Sequence, residues 1–229
     1  MDALERIEIA LRVDISHFLG EKDSFAYVNP ALFFDKFTSV INPKTKLTQH
    51  QDWLRRHAKL INRSKEEFIK HNKAQYGLPL PIWITCEVWD FGTLSTLYSG
   101  MRLEDQDAIS VKYGVKNGRH FASWLRGLNY LRNLCAHHSR LWNRNIIDKP
   151  KLTSRGEITF VEHFRSNEHA QFRAFFLLCI AQHLMVTINP GSSWFQRLSK
   201  HMSEFPKLDH LGLNLYGMGV IDGWETWEW

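Results

Sequence analysis

The sequence is short of three things. It has only three cysteines in 229 residues, Cys86, Cys135 and Cys179. They are odd in number, widely separated, set among apolar neighbours and in no CxxC pair. That excludes a disulfide framework and a zinc site of that spacing, and predicts reduced core thiols of a cytosolic (cytoplasmic) protein. It also lacks a long hydrophobic run. The most apolar stretch, FRAFFLLCIAQHLMVTI, carries Arg173, Gln182 and His183 and is too short and too polar to cross a bilayer, so no membrane partner is expected. The N-terminal MDALERIEIALRVDISHFLG has no apolar h-region and predicts no signal peptide. The third shortage is local: Leu131–Arg144, LRNLCAHHSRLWNR, holds three arginines, two histidines and two asparagines without one carboxylate.

What is present points to a globular chain. Hydrophobic residues make up 44%, enough for a sizeable core, and nine Trp with fifteen Phe predict bulky packed rings. The 29 basic against 24 acidic residues give +5, a mild bias compatible with nucleic acid. Leu4, Ile7, Leu11, Ile15 and Phe18 recur at helical spacing, and the first helix is expected from about Asp2 to Leu19, ending at Gly20. Asn29-Pro30 supplies a cap and first residue for a short helix ending near Ser39. Residues 48–75 read as two charged helices, with Ser64-Lys65-Glu66-Glu67 as a capping box for the second. PIWITCEVWDFGTLSTLYSG reads as an aromatic-rich helix with Gly92 inside it, and Glu104–Tyr113 as a short helix stopped by Gly114. A long helix is expected from Arg119 to Asn143, a long loop around residues 145–167, helices over Glu168–Ile188 and Ser193–Ser203, and a Trp-rich tail that packs back on the body. With no repeat and no low-complexity linker, the expectation is one all-α domain over residues 1–229.

Projected at 100° per residue, Asn133, His137, Arg140 and Arg144 share one band with Arg126, while Phe121, Trp124, Leu128, Leu131, Cys135 and Trp142 gather opposite. Arg132 lies on the flank, and His138 is expected toward the apolar side. A solvated helix face normally interleaves charge signs to gain i,i+4 pairs, whereas Arg140 and Arg144 repeat one sign. The stripe is therefore read either as a solvated face or as the seat of a polyanion, with the second favoured. His137 and His138 are adjacent and diverge around a helix, no acidic residue is near, and no HExxH pattern occurs, so no metal and no cofactor are expected. Cys135 on the apolar face is a poor nucleophile. His, Arg and Asn without a metal suit RNA cleavage by internal attack of the 2′-hydroxyl: the imidazole moves a proton near neutrality and guanidiniums hold the phosphate. One such histidine per chain leaves an acid or a base wanting, which two copies facing across a symmetric interface would supply. The cluster Arg55, Arg56, Lys59, Arg63, Lys65 reads as a solvated face that can also track an RNA backbone. Trp83, Trp89, Phe91 and Trp124 are assigned to the core.

Arg132-Asn133-x-x-x-His137 resembles the R-x4–6-H motif of HEPN-superfamily ribonucleases. Longer stretches are similar to the AbiD/AbiF group of Abi-like abortive-infection proteins in that superfamily: ALERIEIALR, LPIWITCEVWDFGTLSTLYSG, LRGLNYLRNLCAHHSRLWNR and the Trp-rich tail. The resemblance covers nearly the whole chain. It implies an all-α HEPN-like bundle, a homodimer whose two motifs meet in a metal-independent endoribonuclease site, and an antiphage, toxin-like role. It also implies an antitoxin or other regulator, or a structured noncoding RNA, as partner. Carried over by position, Arg132, Asn133 and His137 are the catalytic set, and Arg126, Arg140, Asn143 and Arg144 bind RNA. Such proteins usually carry a helical segment before the ALERIEIALR stretch, which this chain is expected to lack. A module that binds RNA or protein through the same stripe without cleaving stays open beside the nuclease.

Overall fold

The computed structural model describes residues 1–206 and 208–229. It holds twelve α-helices, short 3-10 turns and isolated bridge pairs, with no β-strand among the described residues, so the all-α expectation is met. Two compact units divide the chain, residues 8–109 in one and residues 1–7 with 110–229 in the other.

The N-terminal half carries seven helices: α1 (Asp2–Gly20), α2 (Asp35–Ser39), α3 (Gln49–Arg63), α4 (Glu67–Tyr76), α5 (Ile82–Thr85), α6 (Phe91–Gly100) and α7 (Leu103–Ser110). Asn29 accepts from the Ala31 backbone, but the turn that follows is a 3-10 helix over Pro30–Leu32. The helix ending at Ser39 is α2, which restarts at Asp35. Thr48 and Gln51 form a reciprocal capping box that starts α3. The box expected at Ser64 does not form: Ser64 Oγ accepts from the Glu66 backbone, extended Glu66 precedes α4, and no side chain caps it. The aromatic-rich segment is not one helix but breaks at Trp89-Asp90, because the Asp90 carboxylate accepts from both the backbone and the hydroxyl of Thr93 and founds α6 afresh. Around α3, His50, Trp53, His57, Leu60 and Ile61 turn inward at helical spacing. Trp53 stacks on His57 at 5.3 Å, meets Trp89 edge-on at 5.5 Å and donates to the Thr93 carbonyl. Trp83 departs from the core assignment: it is 54% exposed, while Trp89, Phe91 and Trp124 are buried.

The second unit contains α8 (Gly118–Ala136), α9 (Thr159–Phe164), α10 (Glu168–Gln171), α11 (Ala174–Ile188) and α12 (Trp194–Ser203). Asn117 caps α8 through the Arg119 and His120 amides. Phe121, Trp124, Leu125, Leu128 and Leu131 form its buried face, which packs on α11. Gly127 admits this packing, since a Cβ there would stand 2.7 Å from Leu177 and 3.0 Å from Pro150. The loop after α8 is pinned back on that helix, Trp124 donating to the Lys151 carbonyl and Ser123 accepting from the Lys151 amide. Residues 145–167 are not all loop, since α9 lies inside them, and the helix expected over Glu168–Ile188 breaks at Phe172-Arg173. There the Phe172 carbonyl accepts from Ile146 N–H at 2.8 Å, and extended Arg173 precedes α11. The tail does pack back: Trp224 meets Phe175 and Phe195 edge-on, Trp227 stacks on His163 at 4.2 Å, and Trp229 meets Phe195 at 4.8 Å.

Candidate nucleic-acid interface

The motif helix ends seven residues earlier than the periodicity suggests, at Ala136. Its stop is a Schellman turn. Ser139 N–H reaches the Leu134 carbonyl at 2.9 Å, His138 N–H reaches that of Cys135 at 3.1 Å, and His138 takes the left-handed conformation with φ 50°. That position is usually glycine. His138 therefore does not point into the apolar side; it is exposed, as is His137, the residue capping the helix. Cys135 is half-buried.

The early stop redistributes the predicted residues. Arg126, Arg132 and Asn133 are on α8, His137 is at its end, and Arg140, Asn143 and Arg144 are on the loop beyond. Arg126 donates to its own helix at the Ala122 carbonyl, and Arg132 reaches the Asn133 side-chain oxygen at 3.4 Å. Arg144, no longer on the stripe by pitch, returns to α8 by another route: its Nε donates to the Tyr130 hydroxyl at 3.0 Å. Tyr130 was missed in the sequence, though it lies one turn before Asn133 on the same helix. Asn143 is left-handed at φ 52°, a conformation its short polar side chain tolerates. Trp142 anchors the loop, its indole N–H donating to the Asn214 carbonyl at 2.8 Å and its ring lying over Phe205.

The electrostatics are one-sided. From Ala108 to Gly156 the chain has ten basic residues and a single carboxylate, Asp148. No carboxylate pairs with Arg126, Arg132, Arg140 or Arg144 among the described residues, and the His137 and His138 rings bond nothing there. Such an arrangement can hold phosphate on several guanidiniums while an imidazole at the same helix end exchanges protons. No cluster of three or more His, Cys, Asp or Glu able to hold a metal occurs among the described residues, and no helix there is long and apolar enough to cross a membrane.

A family model described as Abi-like protein matches residues 1–143, ending inside the loop that carries the arginines. No curated protein and no solved structure matches the chain.

Proposed function

The chain belongs to the Abi-like protein family, and from that premise we propose that it is an abortive-infection effector that cuts RNA without a metal ion, as an endoribonuclease of HEPN type. The observation that carries this reading is an exposed His137 set among arginines that have no carboxylate partner among the described residues. An RNA phosphate supplies the missing negative charge. The 2′-hydroxyl attacks the adjacent phosphorus and the bond from phosphorus to the 5′ oxygen breaks, leaving a 2′,3′-cyclic phosphate and a 5′-hydroxyl. One group takes the 2′ proton and another protonates the departing oxygen. His137 serves as one of them, and the second comes from another copy of the chain in a homodimer. Arg132 neutralises charge as it grows on the phosphoryl oxygens, Asn133 supports it, and Arg126, Arg140, Asn143 and Arg144 hold the flanking backbone.

The test is cleavage of end-labelled RNA in EDTA. The wild-type chain is expected to give fragments ending in cyclic phosphate, and His137→Ala and Arg132→Ala to lose at least about 100-fold in rate. Binding without cleavage, weakened by Arg132→Ala and indifferent to His137→Ala, would replace the nuclease with a binding module on the same residues.

A further inference from the structure

Beyond the motif, and outside residues 1–143, the second unit carries an aromatic pair that the core does not use. The His169 and Tyr216 rings lie parallel, 4.3 Å between centroids and 5° between planes. One face of Tyr216 is thus covered, yet the residue is 61% exposed and its hydroxyl bonds nothing among the described residues. The tail's tryptophans, by contrast, spend themselves on Phe160, Phe164, Phe175 and Phe195.

The pair is held rigidly. Tyr216 sits in a 3-10 turn, Leu215–Met218, capped by Asn214, whose side chain accepts from Gly217 N–H. The Asn214 carbonyl takes the indole proton of Trp142, and Gly217 lies against that same indole, so the turn is built on the motif loop itself. Gly219, at φ 82°, closes onto Arg173 so tightly that a Cβ would collide with its side chain. His169 is fixed from the other side, its Nε2 accepting from Arg173 Nε at 3.1 Å. Burial, then the Arg173 charge, lowers its pKa. His169 also lines a cavity of about 360 Å³ with Asn145, Glu168, Phe172 and Arg173, an amide, a carboxylate and a guanidinium around an aromatic ring. Asn145 directly follows Arg144 of the motif.

A flat ring with one open face, held in place beside a recess of mixed donors and acceptors and next to a cationic loop, has the features of a single-stranded nucleic-acid subsite. We propose that Tyr216, backed by His169, is a stacking subsite for one unpaired base of the RNA that the motif holds, the polar cavity lining bonding the neighbouring nucleotide. This rests on the RNA reading above and adds where the strand leaves the motif. Because the turn is held in advance, little ordering entropy opposes the stacking.

The experiment measures fluorescence anisotropy of a labelled single-stranded RNA with the full chain bearing His137→Ala, so that nothing is cut. Tyr216→Ala is expected to weaken binding by about 5- to 150-fold, and Tyr216→Trp to keep it. An abasic oligomer with the same number of phosphates is expected to bind Tyr216→Ala and its parent alike. Equal affinity of Tyr216→Ala and parent for normal RNA overturns the subsite, as does an equal loss on normal and abasic strands, which would mark a structural role. Cleavage by the otherwise wild-type chain is measured in parallel. Activity there with no Tyr216 effect removes the subsite alone, whereas no binding and no cleavage removes the RNA reading and the subsite together.

Discussion

Two basic stretches of this chain look alike on paper and differ in structure. Residues 49–76, covering α3 and α4, hold seven basic residues against three carboxylates, and residues 108–156 hold ten against one. In the first, Arg55 and Arg56 both rest on Asp52, Lys70 pairs with Glu67 and Lys73 donates to Asn62. In the second, Arg126, Arg132 and Arg144 turn to a carbonyl, an amide oxygen and a phenol, all neutral groups. Particular histidines differ too: α3 buries His50 and His57, and the motif exposes His137 and His138. A count of positive charge therefore says little. Whether a charge already has a partner says more: exposed pairs of the α3 kind contribute at most about 1 kcal/mol and serve local order, while Arg126, Arg132, Arg140 and Arg144 meet no carboxylate among the described residues.

The contrast can be broken or sharpened by three measurements. The largest effect is expected from acid on the α3 side. His57 is 5% exposed and burial holds its pKa down to about 4, against 6.5 for the free side chain. The unfolded chain takes up this proton first, so stability is whole above pH 6.5 and falls as pH drops from 6.5 towards 4, by about 3 kcal/mol from this residue. Urea unfolding at pH 7 and pH 4.5 should show the loss, with His57→Gln flattening it; an unchanged slope in that variant would separate His57 from it.

A smaller effect has opposite signs in the two regions. His138→Gly relieves a left-handed residue and should raise stability by about 1 kcal/mol, whereas Ala58→Gly, at an exposed position inside α3, should lower it by about the same amount. Thermal unfolding of both reads the comparison directly, and a destabilised His138→Gly would mean its side chain makes a contact that outweighs the strain. The smallest effect is on salt dependence. Arg140→Ala and Arg144→Ala should each reduce the slope of log affinity for single-stranded RNA against log salt by about 0.7, and Arg55→Ala with Arg56→Ala should leave it unchanged. Equal slopes in all four would erase the distinction drawn here.

How much of this was readable in advance depends on the signal that each feature leaves. Helical spacing carries the all-α architecture, the extent of α1, and the buried face of α8, because apolar side chains at three and four residues have one way to reach a core. The end of α8 was not readable, since a histidine occupies the Schellman position that glycine usually marks, and the apolar Leu141 and Trp142 continue the period beyond the true stop. Asp90 is a residue type that caps helices, but it lies inside a segment whose aromatic residues read as one continuous helix. The residue types of the motif are legible without a structure, but Tyr130 as the anchor of Arg144 needs the loop to fold back. The His169 and Tyr216 pair leaves no trace in spacing, being 47 residues apart and brought together by a tail that the indole of Trp142 tethers.

The stop at Ala136 also sets which parts of the motif tolerate a change in length. From Arg126 to His137 position is ruled by helical pitch, and one inserted residue swings everything beyond it by about 100°. From Ser139 onward no pitch operates, and Arg144 is located by two tethers, the indole of Trp142 and the phenol of Tyr130. The first half of the motif is a gauge, where every residue counts. The second is a slack line between fixed points, which can be lengthened or shortened while its ends stay tied.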